Sequence, residues 1–162
     1  MRSHLIAAAL VSRGPSGDQP FLPQALQQAS GHIRVRRLLA DAGYDSEKNH
    51  QVSREQFGVE SVIKINPRWL GRRWPSKPYR RRMRRSFPKR AYSRRAHAES
   101  IFSAFKRTLG AAMRARGPQA QRRELLWRVL AYDLMIIRRA RGGLSTEPAW
   151  HVCANCGVTS SR

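Results

Sequence analysis

Apolar and polar positions change their spacing several times along the chain, and each change marks an element. Residues 4–12, HLIAAALVS, form a mostly apolar run that predicts a strand, and GPSGDQP after it is a turn cluster. Between Phe21 and Ala29, Leu22, Ala25, Leu26 and Ala29 recur at helical spacing, and Gly31 ends that helix. IRVRRLLA then runs in extended form to Asp41, bounded by AGYDS. SEKNHQVSREQF is polar with helical potential, and Ser46 and Glu47 suit its N-terminus. SVIKIN reads as another short strand, closed by Pro67. Strand, helix, strand, helix, strand predicts an α/β domain with at least some parallel pairing.

The pattern breaks between Arg68 and Arg90. There Arg and Lys are interleaved with Trp69, Trp74, Tyr79 and Phe87, and Pro75, Pro78 and Pro88 are expected to interrupt any helix. A helix through Glu99 follows, ending near Gly110 or a turn or so later, before Gly117-Pro118. A second long amphipathic helix is predicted from about Gln121 to Arg141. Leu125, Leu126, Val129, Leu130, Leu134 and Ile137 are its core face, and Gly142-Gly143 stop it. Residues 144–162 read as a disordered tail.

The length of 162 residues suits one domain. Charge sharpens the picture: 32 Lys and Arg against 10 Asp and Glu give a formal charge of +22. Self-repulsion at that excess calls for a polyanionic partner, and nucleic acid is the fitting one. The basic, aromatic-rich stretch suits a segment that tracks a sugar-phosphate backbone and stacks on bases, the plainer reading being a solvated loop with docked aromatics. No apolar run is long enough to cross a bilayer. The short apolar start MRSHLIAAALV reads better as a strand than as a signal peptide, and Cys153 and Cys156 make no disulfide framework. A soluble, intracellular protein is the expectation.

The candidate chemistry lies in YSRRAHAESIFSAFK. Tyr92, Arg95, Glu99 and Lys106 fall within about 60° of one another around a helix axis. Ala98, Ile101, Phe102, Phe105 and Leu109 centre roughly 90° further round, so the stripe sits on the shoulder of the buried face. Glu99 is the only acidic residue between Glu60 and Glu124. A lone carboxylate with two cations and a phenol, half-sheltered by a core, resembles a site for metal ions and phosphate. Asp41, at the C-terminal end of an apolar strand, would project into the crevice where α/β sheets bind ligands, or serve as a turn or cap residue. A helix-borne Glu reaching that crevice would complete a pair able to hold Mg²⁺.

These residues carry a resemblance. Tyr92, Arg95, Glu99 and Lys106 satisfy Y-x2-R-x3-E-x6-K, which resembles the signature of insertion-sequence DDE transposases. Leu38-Leu39-Ala40-Asp41-Ala42-Gly43-Tyr44-Asp45 is similar to the segment around the second catalytic Asp of that family. The likeness runs from roughly Leu5 to Arg139. It implies a ribonuclease-H-like (retroviral-integrase-type) α/β fold. It also implies two divalent cations, Mg²⁺ or Mn²⁺, held by an Asp, Asp, Glu triad that cleaves DNA and transfers strands by in-line phosphoryl transfer. Asp41 would be the second metal ligand and catalytic residue, and Glu99 the third. Arg95 and Lys106 would hold phosphates, Tyr92 would contact the terminal DNA, and Tyr44 would support the Asp41 turn. Transposon ends and target DNA would be the partners, in the interior of a prokaryotic cell with its nucleoid.

One part of the pattern is missing. The family's first Asp lies on a strand upstream of the region matching residues 5–12. Asp18 sits in the loop after the opening strand, Asp45 is too close to Asp41 to come from a separate strand, and Asp133 reads as a partnered polar group on the last helix. The expectation is therefore an N-terminally truncated catalytic domain over residues 1–143, with the basic insert at about 68–90. It would be inactive alone, with metal bound only in a complete triad. An upstream transposase fragment or a second copy would be its protein partner. Loss of the first strand would expose the edge of the strand ending in Asp41. The alternative is a non-enzymatic basic nucleic-acid-binding protein, or a pseudogene product that does not fold. His151, Cys153 and Cys156 resemble half of a zinc knuckle, but a closed site needs four ligands.

Overall fold

Strands β1 (Arg37–Ala40) and β2 (Glu60–Ile63) pair in parallel, with Leu38 opposite Ser61 and Ala40 opposite Ile63. They form the one sheet among the described residues of this computed structural model, which are 4–12, 17–70 and 73–142. The expected tail, with His151, Cys153 and Cys156, lies outside them. Two parallel strands need a crossover, and helix α2 (Glu47–Gln51), continued by a π-helical turn at Val52–Gln56, supplies it. Ahead of the sheet lies helix α1 (Leu22–Ser30), whose Leu22, Leu26 and Ala29 bury against Leu38, Ala40, Tyr44, Val59 and Ile63. The α/β alternation and the parallel pairing are as the sequence pattern predicts, within a mostly helical chain.

Residues 4–12 form no strand. A strand needs a ladder, and β1 and β2 pair with each other instead. The segment is held by its side chains: Ala7 and Ala8 pack on the α1 cluster, while Ile6 and Val11 pack on a second one. That second cluster joins helix α6 (Ala96–Leu109) to helix α7 (Pro118–Gly142) through Phe105, Leu125 and Tyr132. Asp133 is a partnered helix residue, accepting from the Ile6 N–H at 2.9 Å. Burial raises its pKa, and that bond opposes the rise.

Helix α7 turns differently from the predicted face. It buries Leu125 and Tyr132 and half-buries Val129 and Ile136, leaving Leu126, Leu130, Leu134 and Ile137 exposed beside Trp127. Between Leu125 and Ile137 the helix is apolar on most sides, so periodicity alone did not choose its inner side. The edge contact of Tyr132 with Phe105 and the Asp133–Ile6 bond choose it.

The basic stretch is also more regular than its prolines imply. Helices α3 (Pro67–Leu70), α4 (Pro78–Arg85) and α5 (Lys89–Tyr92) occupy much of it. Pro78 starts α4 instead of breaking it, since a first-turn residue donates no helical bond. Glu47 accepts from the Tyr79 and Arg80 N–H groups at 2.9 and 3.0 Å, satisfying two donors at the start of α4. Asp45, its side chain fully buried, accepts from Arg80 Nε at 2.9 Å, Arg80 Nη2 at 2.7 Å and Asn66 N at 2.9 Å. Beside it His50 is buried, with Nδ1 on Ser61 Oγ at 2.8 Å and no partner for Nε2.

Two outcomes follow for stability. Replacing Arg80 by Met leaves the Asp45 carboxylate buried and unpaired and should cost about 3–5 kcal/mol in denaturant unfolding, whereas Arg81→Met on the exposed side should cost no more than ~0.5 kcal/mol. For His50, desolvation first and the Arg54 charge second lower the pKa to about 4. The unfolded chain thus binds a proton that the folded one refuses. Stability from this group is fully present above about pH 6.5 and is lost as pH falls towards 4, by roughly 3 kcal/mol. Melting curves of His50→Gln should be flatter than wild type over that window.

Candidate active site

The parallel register sets Asp41 directly after Ala40, at the C-terminal end of β1. Its backbone is extended, and its Oδ1 accepts from the Gly43 N–H at 2.8 Å, capping the 3₁₀ turn Ala42–Tyr44. Asp41 is thus a turn cap and a strand-end carboxylate at once, half-buried, with its second oxygen outside that bond. A Cβ on Gly43 would sit 3.1 Å from Asp41 Oδ1 and 3.9 Å from Asp18 Oδ2, so both carboxylates border this turn. Tyr44 is buried beneath it, and its carbonyl accepts from Asn49 Nδ2 at 2.9 Å.

The residues from Tyr92 to Lys106 do not lie on one α-helix. Tyr92 ends α5, Ser93–Arg95 form a 3₁₀ turn, and α6 starts at Ala96. Ser93 Oγ donates to the Arg90 carbonyl at 2.9 Å, a local bond of the kind that tightens a helix junction. The backbone stays right-handed through the junction, and Tyr92, Arg95 and Glu99 remain neighbours across it. Arg95 Nη2 reaches Glu99 Oε1 at 2.7 Å, and its guanidinium lies 5.8 Å from the centre of the Tyr92 ring. Phe87 meets the same ring edge-on at 4.9 Å.

The Ser93–Arg95 turn packs on β1, which carries the stripe towards Asp41. The Tyr92 hydroxyl registers the result. Burial pushes its pKa up, the Arg95 charge pulls it down, and the carboxylates of Asp41 and Glu99 both push it up. One phenol therefore feels both acids. Shelter is uneven, however. Tyr92 and Arg95 are half-buried, but the Glu99 side chain is 65% exposed and Lys106 stands in solvent. The apolar side of α6 faces α7 through Phe105 and Ile101, and Glu99 falls outside that contact. The expectation of a half-sheltered carboxylate holds for its neighbours and not for Glu99.

Among the described residues, no three His, Cys, Asp or Glu side chains gather as a metal-binding group. A Mg²⁺ takes only one or two carboxylates from protein, with water and phosphate filling the other positions, and Asp41 and Glu99 are the candidates to offer them. Two acids have partners that the sequence did not indicate: Asp45, set aside there as too close to Asp41, ties the Asp41 turn to Arg80, and Glu47, placed there at the N-terminus of its own helix, caps α4. No local signal reveals the first pair, because its partners are 35 residues apart.

No helix among the described residues is long and apolar enough to cross a membrane. No curated protein and no solved structure matches this chain. The family model described as "Transposase DDE domain" matches residues 1–134, most of the chain. On that match, this chain belongs to the DDE transposase family.

Proposed function

We propose that the chain is a transposase catalytic domain of ribonuclease-H-like fold, which cleaves DNA strands and transfers them by phosphoryl transfer. The observation that carries this is the transposase DDE family match over residues 1–134, with Asp41 at the end of a parallel strand and the Ser93–Arg95 turn, whose Arg95 pairs with Glu99, packed on that strand. Asp41 and Glu99 would hold Mg²⁺ or Mn²⁺. When bound, a pair of such ions stabilises the attacking and leaving oxygens at phosphorus.

The chain's own residues account for the rest. Arg95 sits on Glu99 in an exposed ion pair, a contact of only about 0–1 kcal/mol. An arriving phosphate can draw the guanidinium across in a forked contact, freeing Glu99 as a ligand. Lys106, two turns further along α6, would hold a second phosphate, and Tyr92 would hydrogen-bond or pack on the terminal nucleotide. Transposon ends and target DNA are the partners, and the charge of +22 supports them.

With two carboxylates facing the site, the triad would be completed by an upstream transposase fragment or a second copy of the chain. The sheet of two strands and the exposed row Leu126, Leu130 and Leu134 on α7 support a protein partner. Location in the prokaryotic cell interior, with the nucleoid, goes with this activity. The family match does not favour a non-enzymatic DNA-binding protein.

Two measurements test the reading. Purified chain with Mg²⁺ or Mn²⁺ and element-end DNA should give background cleavage. Adding a polypeptide that supplies a strand ending in Asp should restore cleavage, and Glu99→Gln in the mixture should abolish it. Cleavage by the chain alone that is lost in both Glu99→Gln and Asp18→Asn would mean that the triad is already complete. Separately, Lys106→Ala should weaken binding alike for all DNA sequences and lower the salt slope by about 1.

A further inference from the structure

Helix α4 has two opposite faces. At roughly 100° per residue, Tyr79, Arg80 and Met83 point one way, and Arg81, Arg82, Arg84 and Arg85 point the other. The first face is committed to the protein: Met83 is buried, Arg80 is paired with Asp45, and the Tyr79 hydroxyl donates to Glu55 at 2.9 Å. The second face carries four exposed guanidinium groups. Among the described residues no carboxylate bonds them, and the sequence has no acid between Glu60 and Glu99. Trp74, 57% exposed, lies under the Arg84 guanidinium at 5.7 Å and props that side chain outward.

Holding four like charges along eight residues is unfavourable unless a polyanion neutralises them, and the fold spends two acids on keeping the helix in place. Asp45 grips Arg80 from the buried side, and Glu47 caps the first turn. Asp45 is also the C-cap of the Asp41 turn, its N–H donating to the Ala42 carbonyl. A single rigid connection therefore links the strand-end carboxylate to the base of the arginine face.

We propose that α4 is a phosphate-binding helix of fixed orientation, with Arg81, Arg82, Arg84 and Arg85 as its contacts to double-stranded DNA. Asp45 and Glu47 are positioning residues that set this face relative to Asp41. The inference rests on the reading of the chain as a protein that acts on DNA. It differs from a disordered basic segment in one respect: orientation, and not charge alone, sets the affinity.

The test is a salt titration of binding to a duplex of arbitrary sequence without metal, so that failure of cleavage chemistry and failure of this surface are told apart. Replacing Arg81, Arg82, Arg84 and Arg85 by Ala should lower the slope of log affinity against log salt by about 3. Replacing Arg122, Arg123, Arg138 and Arg139 of α7, equally exposed, should lower it by less than ~1. Equal losses in the two variants would overturn the assignment of the surface. The clamp is read with Glu47→Ala, which removes a negative charge. Simple electrostatics predicts tighter binding for it, whereas the clamp predicts weaker binding, at least about threefold, with a smaller slope. Unchanged or tighter binding by a folded Glu47→Ala chain would refute the clamp. If that variant fails to melt cooperatively, Glu47→Gln, which keeps one acceptor oxygen, takes its place with the same expected sign.

Discussion

The buried carboxylate of Asp45 accepts at once from the end of β2, through Asn66, and from α4, through Arg80, while its own backbone closes the Asp41 turn. Taking a carboxylate out of water costs several kcal/mol, which only well-placed donors offset. Here three N–H groups converge on it, two of them from a forked guanidinium. The geometry around Asp41 depends on that convergence. Without it, neither the turn that aims Asp41 nor the helix beside it would have a defined position.

A second constraint is electrostatic. A chain carrying +22 has few acids to distribute, and the structure uses them sparingly. Asp45 and Glu47 organise the junction with α4, and Asp133 holds residues 4–12 through Ile6. Glu124 caps the loop before α7 by accepting from the N–H groups of Arg114 and Ala115, which hold its carboxyl below the usual range. Asp41 and Glu99 have lighter structural roles, a turn cap and an exposed pair with Arg95. Asp41 has a carboxylate oxygen beyond its cap bond, and Glu99 has only an exposed partner that a phosphate can take.

Much of this was readable in the residues, where the information was local. An apolar strand ending in Asp, followed by Ala-Gly-Tyr, led to a strand-end carboxylate, and the spacing of Arg95 and Glu99 put them on one stripe, where they turn out to pair. The misreadings arose where tertiary contacts decide. Pro78 reads as a helix breaker until its place in the first turn of α4 is known. The apolar character of α7 extends around its circumference, so that Leu126 and Leu130 look as suited to the core as Tyr132 does. HLIAAALV has strand character but no ladder to join, and it settles by side-chain contacts. Asp45 and Arg80 are too distant in sequence for any motif to connect them.

The central claim is that Asp41 and Glu99 serve one divalent-ion site at the end of β1. Substituting Fe²⁺ for Mg²⁺ in the DNA-bound chain and mapping hydroxyl-radical cuts in the polypeptide tests it most directly. The account predicts cuts beside Asp41 and beside Glu99, both disappearing together in Asp41→Asn and in Glu99→Gln. Cuts near only one of them, or cuts that persist at one position when the other residue is replaced, would contradict it.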